Sequence, residues 1–316
     1  MTAEARTIRR MTNSLPPDRL GIGAYVPTWG APGKPAPRWA DMREIAVGLE
    51  QIGVDSVWVA DEPGFWEPWS ILPAVAEATS KVELGPLVMC TGYRPPAMVA
   101  SMAESFDEVS GGRLIMGLGA GVGPTDKRWA QLGYDSEKHI GRFAEAVEIT
   151  ARLLREDEPL TFDGQFFHLA GARLKPKGPR PGGPPLWIAA GRPRTLGVAA
   201  RWGDAVNWAE NLTGPESVKA AFAAVAEACE AVARDPTTLP LTACVRLELE
   251  ASAADARQDT LTGDDVEVIA KLQEMRSAGL RHVTIFNGDA DDTGPFPALT
   301  SKALDQLAPI VDALKG

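Results

Sequence analysis

The sequence predicts an α/β fold, a single (β/α)8 (TIM) barrel with insertions, and three observations carry that expectation. Strand-like and helix-like periodicities alternate from end to end, which is the pattern of parallel strands joined by crossover helices. Eight such units fit within the 316 residues, as the barrel requires. Each strand candidate is short and apolar on both faces, which suits a sheet covered by helices. Unit counting leaves a doubly wound open sheet as the alternative. The barrel is expected over residues 20–316, after a flexible N-terminal segment at 1–19.

The strand candidates are Gly21 to Thr28, Asp55 to Asp61, Val82 to Cys90, Arg113 to Gly119, Pro185 to Gly191, Asp204 to Trp208, Leu241 to Glu248 and His282 to Asn287. Between them, apolar residues recur at helical spacing, as in Met98, Met102, Phe106 and Val109, or Ile140, Phe143, Val147 and Leu154. Three segments break the alternation. Residues 29–38 form a Pro/Gly loop after the first strand, and residues 251–264 a small polar loop after the seventh, both at the face where barrel sites are built. Residues 157–184 contain an Asp163-Gly164 pair that predicts a hairpin, read as a surface insertion because it precedes the fifth strand.

Composition narrows the function. A net charge of -10 without a basic stripe argues against nucleic acid as a partner. No apolar window reaches the ~18 residues of a membrane span, and no signal-like segment follows Arg9 and Arg10, so a cytoplasmic protein is expected. Cys90, Cys229 and Cys244, like His139, His168 and His282, are too far apart for a disulfide framework or a metal-ligand pattern, and no metal is expected.

The residues just past each strand include no histidine and only one adjacent carboxylate pair, Asp61-Glu62. Such a set is better suited to holding a cofactor and a small-molecule substrate than to catalysis by side chains alone. Asp61 reads equally as a ligand or as the partner of an arginine. Glu62 is a candidate proton donor, because Trp66 and Trp69 in "PGFWEPW" would surround it with low dielectric and raise its pKa. Trp29, Trp66, Trp69 and Met89 read either as an apolar substrate pocket or as ordinary core. In "LWIAAGRPRTLGVAARW" a buried strand ends at Gly191 and a helix begins near Pro193, so free N–H groups, the helix dipole, Arg192 and Arg194 could face a phosphate; the alternative is two arginines on a solvated first turn. The glycine-rich "GGRLIMGLGAGVGPTD" fits the dinucleotide fingerprint in no register, so its glycines read as a turn, a crowded strand end and a close backbone approach.

Three stretches together, "VELGPLVMCTGYRPPAMVASMAESFDEVSGGRLIMGLGAGVG", "GRFAEAVEITARLLREDEPLTFDGQFFHL" and "PPLWIAAGRPRTLGVAARWGDAVNW", resemble the bacterial-luciferase-like superfamily of flavin- and deazaflavin-dependent oxidoreductases. The resemblance runs from about residue 20 to residue 314 and lies in order and spacing, not in one motif. It implies a barrel binding coenzyme F420 or FMN at its C-terminal face, with "LVMCTGYRPPA" closer to the F420-using branch. Carried over residue by residue, Asp61, Cys90, Ala120 and Gly121 line the ring and ribityl chain, Thr125 touches the cofactor, and Gly191, Arg192, Arg194 and Thr195 hold the chain and phosphate. It also implies a non-prolyl cis peptide at Leu87-Val88 beneath the ring, and a homodimer as one arrangement found among relatives. Two positions depart from the sugar-phosphate-oxidising pattern: Glu62 replaces a histidine and Val122 a glutamate. The expected activity is therefore hydride transfer between reduced F420 and a small apolar organic substrate. The alternatives are an FMN-dependent monooxygenase and a non-catalytic flavin-binding paralogue.

Overall fold

The computed structural model describes residues 14–29, 35–62, 64–121, 123, 125–209, 212–249, 260–287 and 301–316. In chain order the elements are β1 (Gly21–Tyr25), α1 (Trp39–Ile52), β2 (Ser56–Val59), α2 (Pro68–Ala78), β3 (Glu83–Pro86), β4 (Met89–Cys90), α3 (Pro96–Val109), β5 (Met116–Gly119), α4 (Arg128–Gln131), α5 (His139–Arg155), β6 (Leu160–Asp163) and β7 (His168–Ala172). They continue with β8 (Leu186–Ala190), α6 (Pro193–Trp202), β9 (Ala205–Trp208), α7 (Pro215–Glu230), β10 (Leu241–Leu249), β11 (Thr260–Gly263), α8 (Asp265–Ser277), β12 (Leu280–Asn287) and α9 (Ser301–Lys315).

The main sheet runs β3-β2-β1-β12-β10-β9-β8-β5-β4 with parallel pairing throughout, and its ends meet. Leu84 N–H donates to the Arg113 carbonyl and Ile115 N–H to the Leu84 carbonyl, both at 2.8 Å, joining β3 to the start of β5. The result is the expected barrel. The third expected strand is divided in two: β3 pairs with β2, β4 pairs with β5, and the cis Leu87-Val88 peptide lies between them.

Because the sheet curls around its own interior, every barrel strand is buried on both faces. Outward side chains such as Ile22, Leu84, Met116 and Ile188 pack under the helices. Inward ones, among them Tyr25, Trp58, Ile115, Trp187 and Phe286, form a second cluster that fills the barrel. Small residues make room for large ones: a Cβ on Gly23 would strike Trp58 and Ser56.

Several expectations are corrected. Residues 14–19 of the segment read as flexible are anchored, since Ser14 N–H donates to Glu83 (2.7 Å) and Arg19 forms a two-pronged pair with Asp55 (2.8 and 2.7 Å); residues 1–13 lie outside the described residues. On α3, Met98 and Val109 face solvent and Val99, Ala100, Ala103 and Phe106 face the core, so the helix is rotated from the expected stripe. Part of the segment read as a loop at 251–264 is a strand: β10 continues past the barrel rim, and its Arg246–Leu249 end pairs with β11, while residues 250–259 lie outside the described residues. The Asp163-Gly164 hairpin is present as the antiparallel β6–β7 pair.

Candidate active site

A cavity of about 620 Å³ opens at the C-terminal ends of the barrel strands. It collects Asp61 and Glu62 after β2, Val88 and Cys90 at the β3–β4 break, Ala120 and Gly121 after β5, and Gly191, Arg192 and Thr195 at the start of α6. These nine were named from sequence as site residues, and the barrel brings them together because each lies at the C-terminal end of a strand or in the turn that follows it. Its wall is mainly apolar, with Ala60, Ala189 and Ala190 beside Val88 and Ala120. Tyr25 donates its hydroxyl to the Leu87 carbonyl (2.7 Å) and stacks on Phe286 at 4.4 Å, fixing the strand break from inside the barrel. Gly119 is bare because a Cβ there would collide with Val88.

The two acidic residues differ in surroundings. Asp61 is locked: Arg94 reaches it with both terminal nitrogens (2.8 and 3.2 Å), and the Cys90 N–H donates to it at 2.9 Å. Arg94 continues to Glu67 (2.7 Å), so an ion-pair chain runs from the buried Asp61 out to the exposed Glu67. Desolvation by burial pushes its carboxyl above the ordinary value, against the opposing pull of Arg94.

Glu62 is less committed. Burial lifts its carboxyl to about 7, partly opposed by Arg128, whose guanidinium lies 3.1 Å away, and reinforced by Asp126 and Asp61. Trp66 and Trp69, expected to supply the low dielectric, are engaged elsewhere. The Trp66 indole donates to the Pro37 carbonyl (2.9 Å) with its ring half exposed, and Trp69, on α2, packs edge-on against Phe106 of α3.

At the other end of the cavity, α6 begins with its N-terminal turn facing inward. Thr195 Oγ1 accepts from the N–H groups of Gly191 (3.4 Å) and Arg192 (3.3 Å) and donates to the Arg192 carbonyl (3.0 Å), which holds the strand-to-helix turn. Arg192 lines the cavity. Arg194 is exposed and does not line it, because it sits one residue before the lining Thr195 on α6 and each residue of an α-helix turns the side chain by about 100°. Thr125 is likewise exposed and outside the lining.

Trp29 stacks on Phe65 at 5.2 Å in the interior cluster, and none of the three tryptophans named for a substrate pocket borders the cavity. Met89 is fully buried and receives an Arg94 N–H at its sulfur (2.9 Å). Among the lining residues that sequence reasoning missed are Tyr25, Cys244 and Phe286 inside strands and His139 and Ile140 at the start of α5. Strands buried on both faces carry no alternation to tell inward from outward, so the first three had no signal. Cys244 lies 3.7 Å from the Tyr25 hydroxyl, and burial pushes its thiol up to about 11. Among the described residues no group of three His, Cys, Asp or Glu side chains is placed to hold a metal, and no helix is long and apolar enough to cross a membrane.

Comparison with known proteins agrees with the barrel fold. The chain is 38% identical over 157 residues to a 5,10-methylenetetrahydromethanopterin reductase of Archaeoglobus fulgidus, covering 50% of this chain and 45% of that one. It is 31% identical over 178 residues to an F420-dependent glucose-6-phosphate dehydrogenase of Amycolatopsis mediterranei, covering 52% of this chain and 51% of that one. The chain thus spans about half the length of these curated relatives. Among solved structures, an F420-dependent secondary alcohol dehydrogenase in complex with an F420-acetone adduct superposes with a TM-score of 0.77 at 19% identity, over 94% of this chain and 100% of that one. The family model for luciferase-like monooxygenases matches residues 19–291, and the chain belongs to that family.

Proposed function

We propose that the protein transfers a hydride between reduced coenzyme F420 and a small, mainly apolar organic acceptor, with Glu62 supplying the proton. The observation that carries this reading is the partly buried Glu62 carboxyl, lifted by desolvation to about 7 at the rim of a mostly apolar cavity. The residues present fit a deazaflavin: Val88, Ala120 and Ala189 offer an apolar wall, and the α6 N-terminus with Arg192 offers an anion site at one end. Reduced F420 bound there supplies a hydride to an acceptor.

The protein's own part is to bind, orient, exclude water and move one proton. Val88 and Ala120 would bear on the ring, Thr195 shapes the turn that presents backbone N–H groups, and Glu62 would hold a proton for the acceptor's oxygen. A donor works only while protonated, so turnover should be full below pH of about 7 and fall as pH rises through it. Glu62→Gln should lose that limb along with most of the rate.

The F420-dependent relative supports the choice of cofactor, and Glu62 and Val122, the latter outside the described residues, are departures that disfavour a sugar phosphate as substrate. The family's description as monooxygenases supports a second reading, oxygenation with FMN. Absorbance titrations of the purified protein with F420 and with FMN separate the two. We expect F420 to bind and reduced F420 to be consumed with a carbonyl acceptor; tight FMN binding with substrate-dependent oxygen uptake would establish the second reading instead. Arg192→Ala should weaken cofactor binding by roughly 1–3 kcal/mol, while Arg194→Ala should leave it unchanged.

A further inference from the structure

Glu62 Oε2 is buried and has no hydrogen-bond partner of good geometry, although a terminal nitrogen of Arg128 is only 3.1 Å away. That guanidinium is already engaged. Its Nε and Nη2 fork onto Asp126 at 2.9 and 2.6 Å, and Asp126 also accepts the Arg128 backbone N–H at 2.8 Å. The same Nη2 therefore serves both carboxylates, and the Asp126 contact is the shorter.

The other ionisable groups acting on Glu62 or sensing its charge are few. Asp61 precedes it and is paired with Arg94. Cys90 and Tyr93 approach from β4 and the turn after it, and Tyr25 from β1. Burial holds all three in their neutral forms. This leaves Arg128, on the short helix α4, and Asp126, just before it, as the adjustable charges.

We propose that Asp126 and Arg128 act as a positioning pair for Glu62: Asp126 keeps the guanidinium in an ion pair of its own, so that Glu62 faces a largely neutralised cation and keeps its proton. Neither residue is required to touch substrate. The proposal rests on the reading of Glu62 as proton donor, and it assigns the segment after β5 the task of setting the pH range in which that donor is loaded. Removing Asp126 commits Arg128 to Glu62 and favours the carboxylate; removing Arg128 leaves two acidic groups facing one another and favours the acid.

The test is carbon-13 NMR of the full chain labelled at glutamate carboxyls, with the Glu62 signal assigned by its loss in Glu62→Gln. Asp126→Asn should lower the Glu62 midpoint by on the order of 1 pH unit and Arg128→Ala should raise it by a similar amount. Arg128→Lys, which keeps the charge and the fold if the alanine variant is unstable, should return the midpoint toward wild type. Opposite shifts from neighbouring substitutions are not what a purely structural role gives. Midpoints that stay put, or move in the same direction, overturn the proposal.

Profiles of turnover against pH distinguish its failure from that of the donor reading. If the midpoints move as expected and Glu62→Gln turns over normally, the pair sets the Glu62 proton and the donor reading is wrong. If Glu62→Gln abolishes the limb and neither Asp126→Asn nor Arg128→Ala moves the midpoint, the donor reading stands and the pair proposal falls.

Discussion

Gly117 and Gly197 look alike in the sequence and differ in what surrounds them. A Cβ on Gly117 would run into the Pro86 carbonyl, backbone that cannot move without opening the β3–β5 seam, whereas a Cβ on Gly197 would meet nothing within 4 Å. Gly117→Ala should therefore lower stability by ~1–3 kcal/mol, and Gly197→Ala, inside α6, should raise it by ~0.5–1 kcal/mol, read as opposite shifts of the urea midpoint. The same geometry divides the glycines of the "GGRLIMGLGAGVGPTD" stretch. Gly111 and Gly112 turn with φ of 68° and 81°, Gly119 admits Val88, and Gly121 has φ of 83° with Trp129 2.6 Å and Cys90 2.7 Å from where its Cβ would be. The sequence marks Gly121 as a close approach to a cofactor. Its backbone does line the cavity, but the space beside it is filled by the protein's own Trp129, whose docking from α4 no local pattern announces.

At the scale of elements, the β6–β7 hairpin is legible from Asp163-Gly164 but its attachment is not. Glu145 on α5 accepts the N–H groups of Gln165, Phe166 and Phe167 at 2.7, 2.9 and 3.1 Å, and Arg142 lies over the Phe166 ring at 5.1 Å. The insertion read as decoration is thus clamped to the helix whose first turn brings His139 and Ile140 to the cavity. Glu145→Ala should destabilise the protein by about 1 kcal/mol and speed amide exchange at 165–167, with Glu145→Gln, which keeps a carbonyl acceptor, intermediate. Unchanged exchange in both variants would mean the clamp does not hold the hairpin. The rotation of α3 was equally hidden: Met98 and Val109 match the helical period, yet the Ala100–Ala103 face is the buried one in a helix that packs against α5.

For the whole molecule, closing the barrel creates an interior that titrates. His282 is fully buried between Trp58 and Trp187, with ring centroids at 6.2 and 5.0 Å, and its Nε2 meets the Ser56 hydroxyl at 2.9 Å. Burial pushes its pKa down from 6.5 to about 3. The unfolded chain then binds a proton that the folded one refuses, so stability is complete above about 6.5 and declines as pH falls toward 3. Urea denaturation between those limits should show a shallower pH dependence for His282→Gln than for the wild type; equal slopes would place the acid sensitivity elsewhere.

The sequence by itself determined the barrel, the positions of its eight strand units and most of the cavity's rim, because short doubly apolar strands, helical periods and strand-end residues are local properties of the chain. It also determined that Asp61 and Glu62 stand together at the end of β2. What separates them was decided only in three dimensions. Arg94 locks Asp61 from 33 positions along the chain, and Arg128 reaches Glu62 while held by Asp126. Which tryptophans face solvent, which arginine at α6 faces the cavity, and how Tyr25 holds the Leu87 carbonyl were decided there too. Each depends on the rotation of one element about another, and burial on both faces removes the polar-apolar contrast from which a sequence could have read it.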